Sequence, residues 1–295
     1  QVSVNMMNDI GVTNTPAAYS QSNSLVTKFA FILLVLLVFI VVLQMGMGII
    51  AWALGPNGSP KLFTGMISGN EMVAFDQNPS SSHSSTILRS DNQRGGIEFT
   101  WSIWMYVNND RDHDTYRHVF SKGNPEQYAK SYSGPYDSPE KTGVMYPNNA
   151  PGLYLAPHKN SLLLIMNSFE TIDEEIEIDN IPLNKWFNVI IRVKNKSLDV
   201  FMNGIITKSK QLATPPKQNY DKVFLHLNNG FSGYSSNLWY WNYAVGTSTV
   251  TNIVDSGPDT TLTGGATADL NADYLSSKWY FAGQGDMFNP TGFTN

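Results

Sequence analysis

The sequence contains no cysteine. Thiol catalysis, zinc held by thiolates and disulfide staples are therefore excluded together. A large β domain folds without such staples, so this absence leans only toward a reducing compartment. Charge is scarce too: 15% of residues are Asp, Glu, Lys or Arg, and the formal net charge is -5. With a pI of about 5.5 and no basic cluster interleaved with aromatics, the chain has no field with which to hold nucleic acid. No Gly-x-Ser-x-Gly elbow, phosphate-binding loop or dinucleotide fingerprint occurs. Beyond residue 60 there is no sustained helical period and no internal repeat. What is plentiful is different: aromatics make up 12%, with 23 Gly and 15 Pro, which suits many short strands joined by turns. A length of 295 residues accommodates one large β domain with appendages, or two small domains.

One long hydrophobic run is present. Phe29 to Leu54 is apolar but for Gln44, and a helix of that length exceeds the ~30 Å hydrocarbon core of a bilayer. The run is too long for a signal-peptide core and follows 28 mostly polar residues, so a single membrane helix within 25–54 is expected. Lys28 and Lys61 flank it nearly symmetrically, with Asp9 the only acid before it, and the positive-inside rule does not orient it. Gly46 and Gly48 lack the three-residue gap of the helix-dimer motif. The expected organisation is a polar tail (1–24), the membrane helix (25–54), a sandwich domain (55–250) and a C-terminal extension (251–295) rich in Thr, Gly, Asp and Asn with an aromatic island at Tyr274 to Phe281.

Strand signals fill the domain. In Ile97 to Val107, the residues Ile97, Phe99, Trp101, Ile103, Met105 and Val107 alternate with Glu98, Thr100, Ser102, Trp104 and Tyr106, predicting a long half-buried strand. Phe187, Val189, Ile191 and Val193 define a second. Ser197 to Met202 and Ile205 to Lys208 flank Asn203-Gly204, the strongest short hairpin signal, because both turn residues need positive φ. Further strands are expected at 153–155, 162–166, 172–179, 223–227 and 238–243, with Trp101, Trp186, Phe187, Val189 and Val200 in the core. The fold class is an all-β antiparallel sandwich.

Several runs carry a resemblance: Ile97-Glu98-Phe99-Thr100-Trp101-Ser102-Ile103-Trp104, His118-Val119-Phe120-Ser121-Lys122-Gly123 and Pro151-Gly152-Leu153-Tyr154-Leu155. Others are Asn180-Ile181-Pro182-Leu183-Asn184-Lys185-Trp186-Phe187-Asn188-Val189, Leu198-Asp199-Val200-Phe201-Met202-Asn203-Gly204, Lys217-Gln218-Asn219-Tyr220 and Gly230-Phe231-Ser232-Gly233. Over roughly 60–250 the chain resembles the laminin-G-like branch of the concanavalin A-like superfamily, and more narrowly its membrane-anchored members in large DNA viruses of algae and protists. The resemblance implies a jelly-roll sandwich and a virion component.

Each candidate chemistry has a plainer counterpart. Glu175, Glu177 and Asp179 share a strand face, as the paired carboxylates of glycosidases do, but the order departs from Glu-x-Asp-x-(x)-Glu, and a solvated edge that discourages strand pairing is the better reading. Lys185 and Lys194 lie nearby in sequence. Asp110, Asp112 and Asp114 alternate as calcium ligands can, without the glycine and terminal glutamate of a calcium loop. His113 and His118 have no evident third ligand. Trp239, Tyr240, Trp241 and Tyr243 could stack on sugar or close the core, and Trp239, Trp241 and Tyr243 are the candidate carbohydrate or partner contacts. Asn57-Gly58-Ser59 and Asn195-Lys196-Ser197 are glycosylation sequons. No catalytic, cofactor or metal residue is assigned, calcium remaining the one candidate ion. The leading expectation is a minor capsid protein linking an internal virion membrane to the shell, partnered by capsid proteins and the lipid bilayer and residing on host intracellular membranes during assembly. The alternative is a membrane-anchored lectin for glycans, and a remoter one a glycoside hydrolase.

Overall fold

A computed structural model describes residues 25–55, 57–78, 84–109, 113–124 and 141–263, and the chain falls into two compact units, Gln1–Gly55 and Pro56–Asn295. The first holds α1, Leu25–Leu54. Its 30 residues span about 45 Å at 1.5 Å per residue, and its apolar side chains from Leu25 to Trp52 are exposed. A helix apolar all round has no polar face to turn to water, and α1 is long and apolar enough to cross a membrane.

The second unit is a sandwich of β1 (Lys61–Ser68), β2 (Val73–Phe75), β3 (Asp91–Gln93), β4 (Gly96–Val107), β5 (Arg117–Lys122), β6 (Gly152–Leu155), β7 (Ser161–Met166), β8 (Glu174–Asp179), β9 (Trp186–Lys194), β10 (Ser197–Met202), β11 (Ile205–Gln211), β12 (Val223–Leu225) and β13 (Gly233–Trp241), with a helix α2 (Thr247–Ser256). One sheet runs β1-β13-β4-β9-β10-β11, with β3 beside β4; the other runs β2-β12-β5-β6-β7-β8. Every pairing between these strands is antiparallel. This is the all-β antiparallel sandwich expected from the sequence.

The alternation in β4 turns Phe99, Trp101, Ile103, Met105 and Val107 into the space between the sheets, where Phe187, Val189, Ile191 and Val193 of β9 and Leu198 and Val200 of β10 join them. Trp101 meets Phe120 of the opposite sheet at 5.6 Å and Tyr240 of β13 at 4.8 Å between ring centroids. Trp186 departs from expectation. It opens β9 on the outer face, half-buried and paired across the ladder with Tyr106, because a period of two sends Trp186 and Phe187 to opposite sides.

The outer face of β4 is also less open than alternation alone predicts: Thr100, Ser102 and Trp104 are buried. The unexpected helix α2 is part of the reason. Its Val250 and Ile253, three residues apart, pack with Val245, Trp241, Ile190 and Phe201 on this face. Thr100 is satisfied there, donating to Tyr243 O at 2.9 Å and accepting from Val245 N at 3.1 Å. The β-branched run Thr247-Ser248-Thr249-Val250-Thr251 gave little helical signal, and tertiary packing overrides it. The domain limit expected at 250 thus falls inside α2, and the chain continues as far as Thr261 to Thr263, which bond to Met66 of β1.

Asn203 and Gly204 adopt φ of 50° and 83°, making the tight turn between β10 and β11 that their sequence predicts. The strand expected over 223–227 stops at Leu225, because His226 turns left-handed at φ 51°. On the far side of the sandwich, the edge strands β8 and β11 are joined by ion pairs: Lys210 to Glu174 at 2.7 Å and Lys208 to Asp179 at 3.3 Å.

Candidate binding site

In three places where chemistry was weighed, the described side chains make contacts within the domain. The acidic strand β8 does occupy a sheet edge, and its outward carboxylates are tied one by one to lysines: Glu175 to Lys141, Glu177 to Lys159 at 3.1 Å, and Asp179 to Lys208. Lys185 and Lys194 are not among these partners. Glu174, which sequence reasoning passed over, is the buried carboxyl, accepting from Lys210 and from Ala213 N at 2.9 Å. Burial pushes its pKa up, but the bonds from Lys210 and Ala213 outweigh this and hold it below the usual carboxylate range.

Trp239 and Trp241 stack at 4.4 Å. The Lys61 ammonium lies 4.4 Å from the Trp239 ring centre, and its indole N–H donates to Ser59 O at 2.9 Å. Trp241 is buried beneath α2, so both rings are engaged within the domain, while Tyr243 is 40% exposed and still able to meet a ligand. Tyr240 is in the core and donates to Leu88 O at 3.0 Å. Asp110 and Asp112 lie outside the described residues; Asp114 is exposed, 3.2 Å from His158. Among the described residues no group of three His, Asp or Glu is placed to hold a metal ion. His113 bonds to Thr115 O at 3.0 Å while His118 is buried with Ser121 at 2.8 Å.

The sequence did not disclose the cleft of about 300 Å³ at one end of the sandwich. It opens where β1 and β4 end and where β5 and β13 begin. Its polar lining comprises the amides Asn70, Asn108 and Asn229, the hydroxyls of Ser68 and Ser232, and the cationic or ring groups Arg117, His113 and Tyr234. Phe231 and Leu155 form an apolar floor. No carboxylate lines it among the described residues. The Arg117 and Asn229 side chains bond to no described residue, which leaves a guanidinium fork and a full amide for a ligand.

The walls are held from the backbone outward. Phe231 N donates to Gly69 O at 2.9 Å, Gly69 N to Gly233 O at 2.8 Å, and Asn108 N to Ser232 O at 3.0 Å. Gly230, at φ 40°, lies so close to the turn that a Cβ would come within 2.0 Å of Gly69 O. Only glycine fits there. Ser68 donates to Asn70 Oδ1 at 2.6 Å and Asn108 Nδ2 to Ser232 Oγ at 2.9 Å, fixing the polar side chains at the rim. Beyond Tyr234, Tyr106 and Trp186 continue a row at 6.2 and 5.7 Å, each pair inclined 60°, so that the rings brace one another edge to face.

A second cavity, of about 20 Å³, lies against Lys122 and Tyr240. Lys122 is buried and bonded to Asn219 through both the carbonyl and the side-chain oxygen. Burial lowers its pKa to about 8. The space is that of a single water and admits no larger ligand.

No family model and no curated protein sequence matches the chain. Among solved structures, the binding domain of botulinum neurotoxin serotype G is similar at a TM-score of 0.42 and 11% identity, over 65% of this chain and 46% of that one. The ligand-binding domain of serotype D, in complex with N-acetylneuraminic acid, gives 0.44 and 11%, over 64% and 40%. A mosaic C/D receptor-binding domain gives 0.40 and 9%, over 54% and 36%. The chain spans less than half the length of each, and likeness at this level carries no functional argument.

Proposed function

We propose that this chain is a membrane-tethered sugar-binding module, anchored by α1, whose sandwich takes a hydroxyl-rich ligand into the end cleft. The observation that carries the reading is the cleft itself. Amides and hydroxyls converge over an apolar floor in a volume suited to one or two sugar units, with Tyr234 at the rim. Amide side chains offer donor and acceptor together, which matches adjacent sugar hydroxyls. Non-catalytic binding is supported by the tethering of the β8 carboxylates to separate lysines along an edge, where no groove sets two carboxyls face to face. The test is binding of the full chain in detergent micelles to an oligosaccharide array. Asn70→Ala and Asn229→Gly, the latter preserving the left-handed backbone, should each weaken binding about tenfold, the worth of one or two hydrogen bonds, with unchanged thermal stability. An array without a single bound sugar, or variants that bind as well as the parent, would defeat the reading.

A separate observation favours a second reading, in which the chain bridges a bilayer and the protein shell of a virion. The β10–β11 turn leaves Ile205 73% and Ile206 52% exposed, and nearly all of β11 is solvent-facing, a surface suited to a neighbouring protein. Because the chain has no cysteine, Ile205→Cys provides a unique cross-linking handle. Cross-links to capsid proteins in assembled particles support bridging; a handle that never captures a shell protein rejects it.

A further inference from the structure

Two buried histidines hold one wall of the cleft. His226 opens the run His226-Leu227-Asn228-Asn229-Gly230-Phe231, which carries Asn229 and Phe231 to the lining. Four of these six residues have positive φ: His226 at 51°, Asn228 at 55°, Asn229 at 65° and Gly230 at 40°. Such a run is disfavoured and keeps its shape only while outside contacts over-determine it. The histidines supply several of them. His226 N donates to Val119 O at 3.0 Å, and its Nδ1–H donates to Glu71 O at 3.0 Å. The proton therefore sits on Nδ1, and Nε2 accepts from Ser235 Oγ at 2.8 Å. His118 has the opposite tautomer. Its Nδ1 accepts from Leu227 N at 3.2 Å, so its Nε2–H donates to Ser121 Oγ at 2.8 Å, and Ser121 in turn donates to Met145 Sδ at 2.7 Å.

Both rings are thus bound as neutral imidazoles, each accepting through one nitrogen. A proton on His118 Nδ1 would set one N–H against another, and the Leu227 amide cannot turn round. A proton on His226 Nε2 would remove the acceptor that Ser235 uses. Among the described residues, the titratable groups around them include each other, Tyr154 at 5.4 Å from His118, and Glu71, which offers His226 its carbonyl. Burial is the main influence on both rings and holds them neutral: His118 well below its usual value with His226 adding to the effect, and His226 at about 4 despite the Glu71 and Ser68 carbonyls.

We propose that the cleft is acid-sensitive: protonation of His118 and His226 frees the 226–231 wall and opens the cleft, so that a sugar held at neutral pH is released in acid. The release step rests on the sugar-binding reading above; the opening does not. The sign follows from the proton balance. The open wall, with solvated imidazoles, binds more protons than the closed wall, so acid favours opening. Taking His226 alone at about 4 when closed and 6.5 when solvated, a drop from pH 7.4 to 5.0 favours the open wall about 25-fold.

The experiment follows amide hydrogen exchange in the full chain in lipid nanodiscs at pH 7.4 and 5.0, corrected for intrinsic rates, beside an array of neutral and acidic oligosaccharides read at the same two pH values. Residues 226–233 should lose protection by about tenfold or more at pH 5.0, while β7 and β8 keep theirs. Unchanged protection of 226–233, or an equal loss in all strands, overturns the opening. Sugar bound at pH 7.4 and lost at 5.0 supports release, and equal binding at both overturns it. No sugar bound at pH 7.4 overturns the sugar-binding reading and the release step with it, leaving the opening to be judged by exchange alone. In the double variant His118→Asn/His226→Asn, the amide groups can accept from Leu227 and donate to Glu71 without titrating. Its wall should exchange equally at both pH values; should it fail to fold, the parent chain still decides.

Discussion

Replacing Trp101 by alanine opens a hole at the centre of the sandwich, while the same change at Trp186 trims an outer face, and comparing the two tests the register of β4 and β9 together. Trp101 is 1% exposed and touches rings from both sheets. A buried indole hides about 150–250 Å², worth roughly 4–6 kcal/mol at about 25 cal/mol per Å². The alanine methyl retains part of this, the residual cavity takes some away, and the expected cost is about 3–5 kcal/mol. Trp186 is half-buried and has one ring neighbour, Tyr106, which sets its cost at about 1–2 kcal/mol. For a domain of this size each kcal/mol moves Tm by about 2–4 °C. Trp101→Ala should therefore lower Tm by about 6–20 °C, and Trp186→Ala by about 2–8 °C. The assay is far-UV circular dichroism of the full chain in detergent micelles, with urea titrations to establish that the m-value is unchanged and the comparison fair. Equal losses from the two variants would refute the reasoning, since a strand slipped by one residue exchanges its inner and outer sets.

Other outcomes follow from features already described. Deleting residues 25–54 should abolish carbonate-resistant membrane association, and persistence of that association would dispose of the anchor. Glu175→Gln with Glu177→Gln should cost no more than about 1–2 kcal/mol, since the Glu177–Lys159 pair is exposed and the Glu175–Lys141 pair is partly buried. Neither the parent nor this variant should hydrolyse a β-glucan panel, and hydrolysis that disappears with the double change would make the protein an enzyme. Glu174→Gln should cost about 1–2 kcal/mol at pH 7, because its partners Lys210 and Ala213 N are left bonded to a neutral amide. As its folded pKa is depressed, that contribution is present above the unfolded carboxyl value and fades as pH falls through the folded one, so parent and variant should converge in urea titrations once the pH is below the folded value. Gly204→Ala, at φ 83° and with its new methyl 3.3 Å from Val254 Cγ2, should lower stability by about 1 kcal/mol or more, measurable as a shift in the urea midpoint.

Much of the fold was legible in the sequence because its signals are local. The two-residue period of Phe99 to Val107 and of Phe187 to Val193 fixes which side chains meet between the sheets, and Asn203-Gly204 marks one hairpin turn, although its ladder shifts register between Val200 and Phe201. Trp186 was misplaced because size was allowed to outweigh period. Helix α2 escaped notice because only Val250 and Ile253 among its ten residues are buried, too few to print a period against threonine-rich surroundings. The cleft is the least legible feature of all. Its residues come from five stretches of chain, among them Ser68, Asn108, Arg117 and Asn229, and no window of sequence contains more than a fragment. One clue was present: Gly230-Phe231-Ser232-Gly233 marks a backbone forced into close approach, and the Gly69 carbonyl is what it approaches. The histidine pair was hidden for a similar reason, since His118 and His226 meet through a left-handed turn that ordinary propensities do not announce.

The adjacency of β1 and β13 governs the order in which the molecule can be made. Among the described strands β1 is the first and β13 the last, and bonds such as that from Trp239 Nε1 to Ser59 O join residues 180 apart. β1 has no other strand partner among the described elements than β13, and β13 in turn connects it to β4. During synthesis at about 5–20 residues per second, β1 therefore waits roughly ten seconds or more for its neighbour to emerge. Through that interval Leu62, Phe63 and Ile67, which end in the core, have no strand beside them to complete their cover. Until Gly233–Trp241 has left the ribosome the chain displays an unclosed sheet, an evident substrate for a holdase chaperone. The closing step is thus late, long-range and all-or-none, and the rate of chain elongation becomes a determinant of how long this domain stays vulnerable to aggregation.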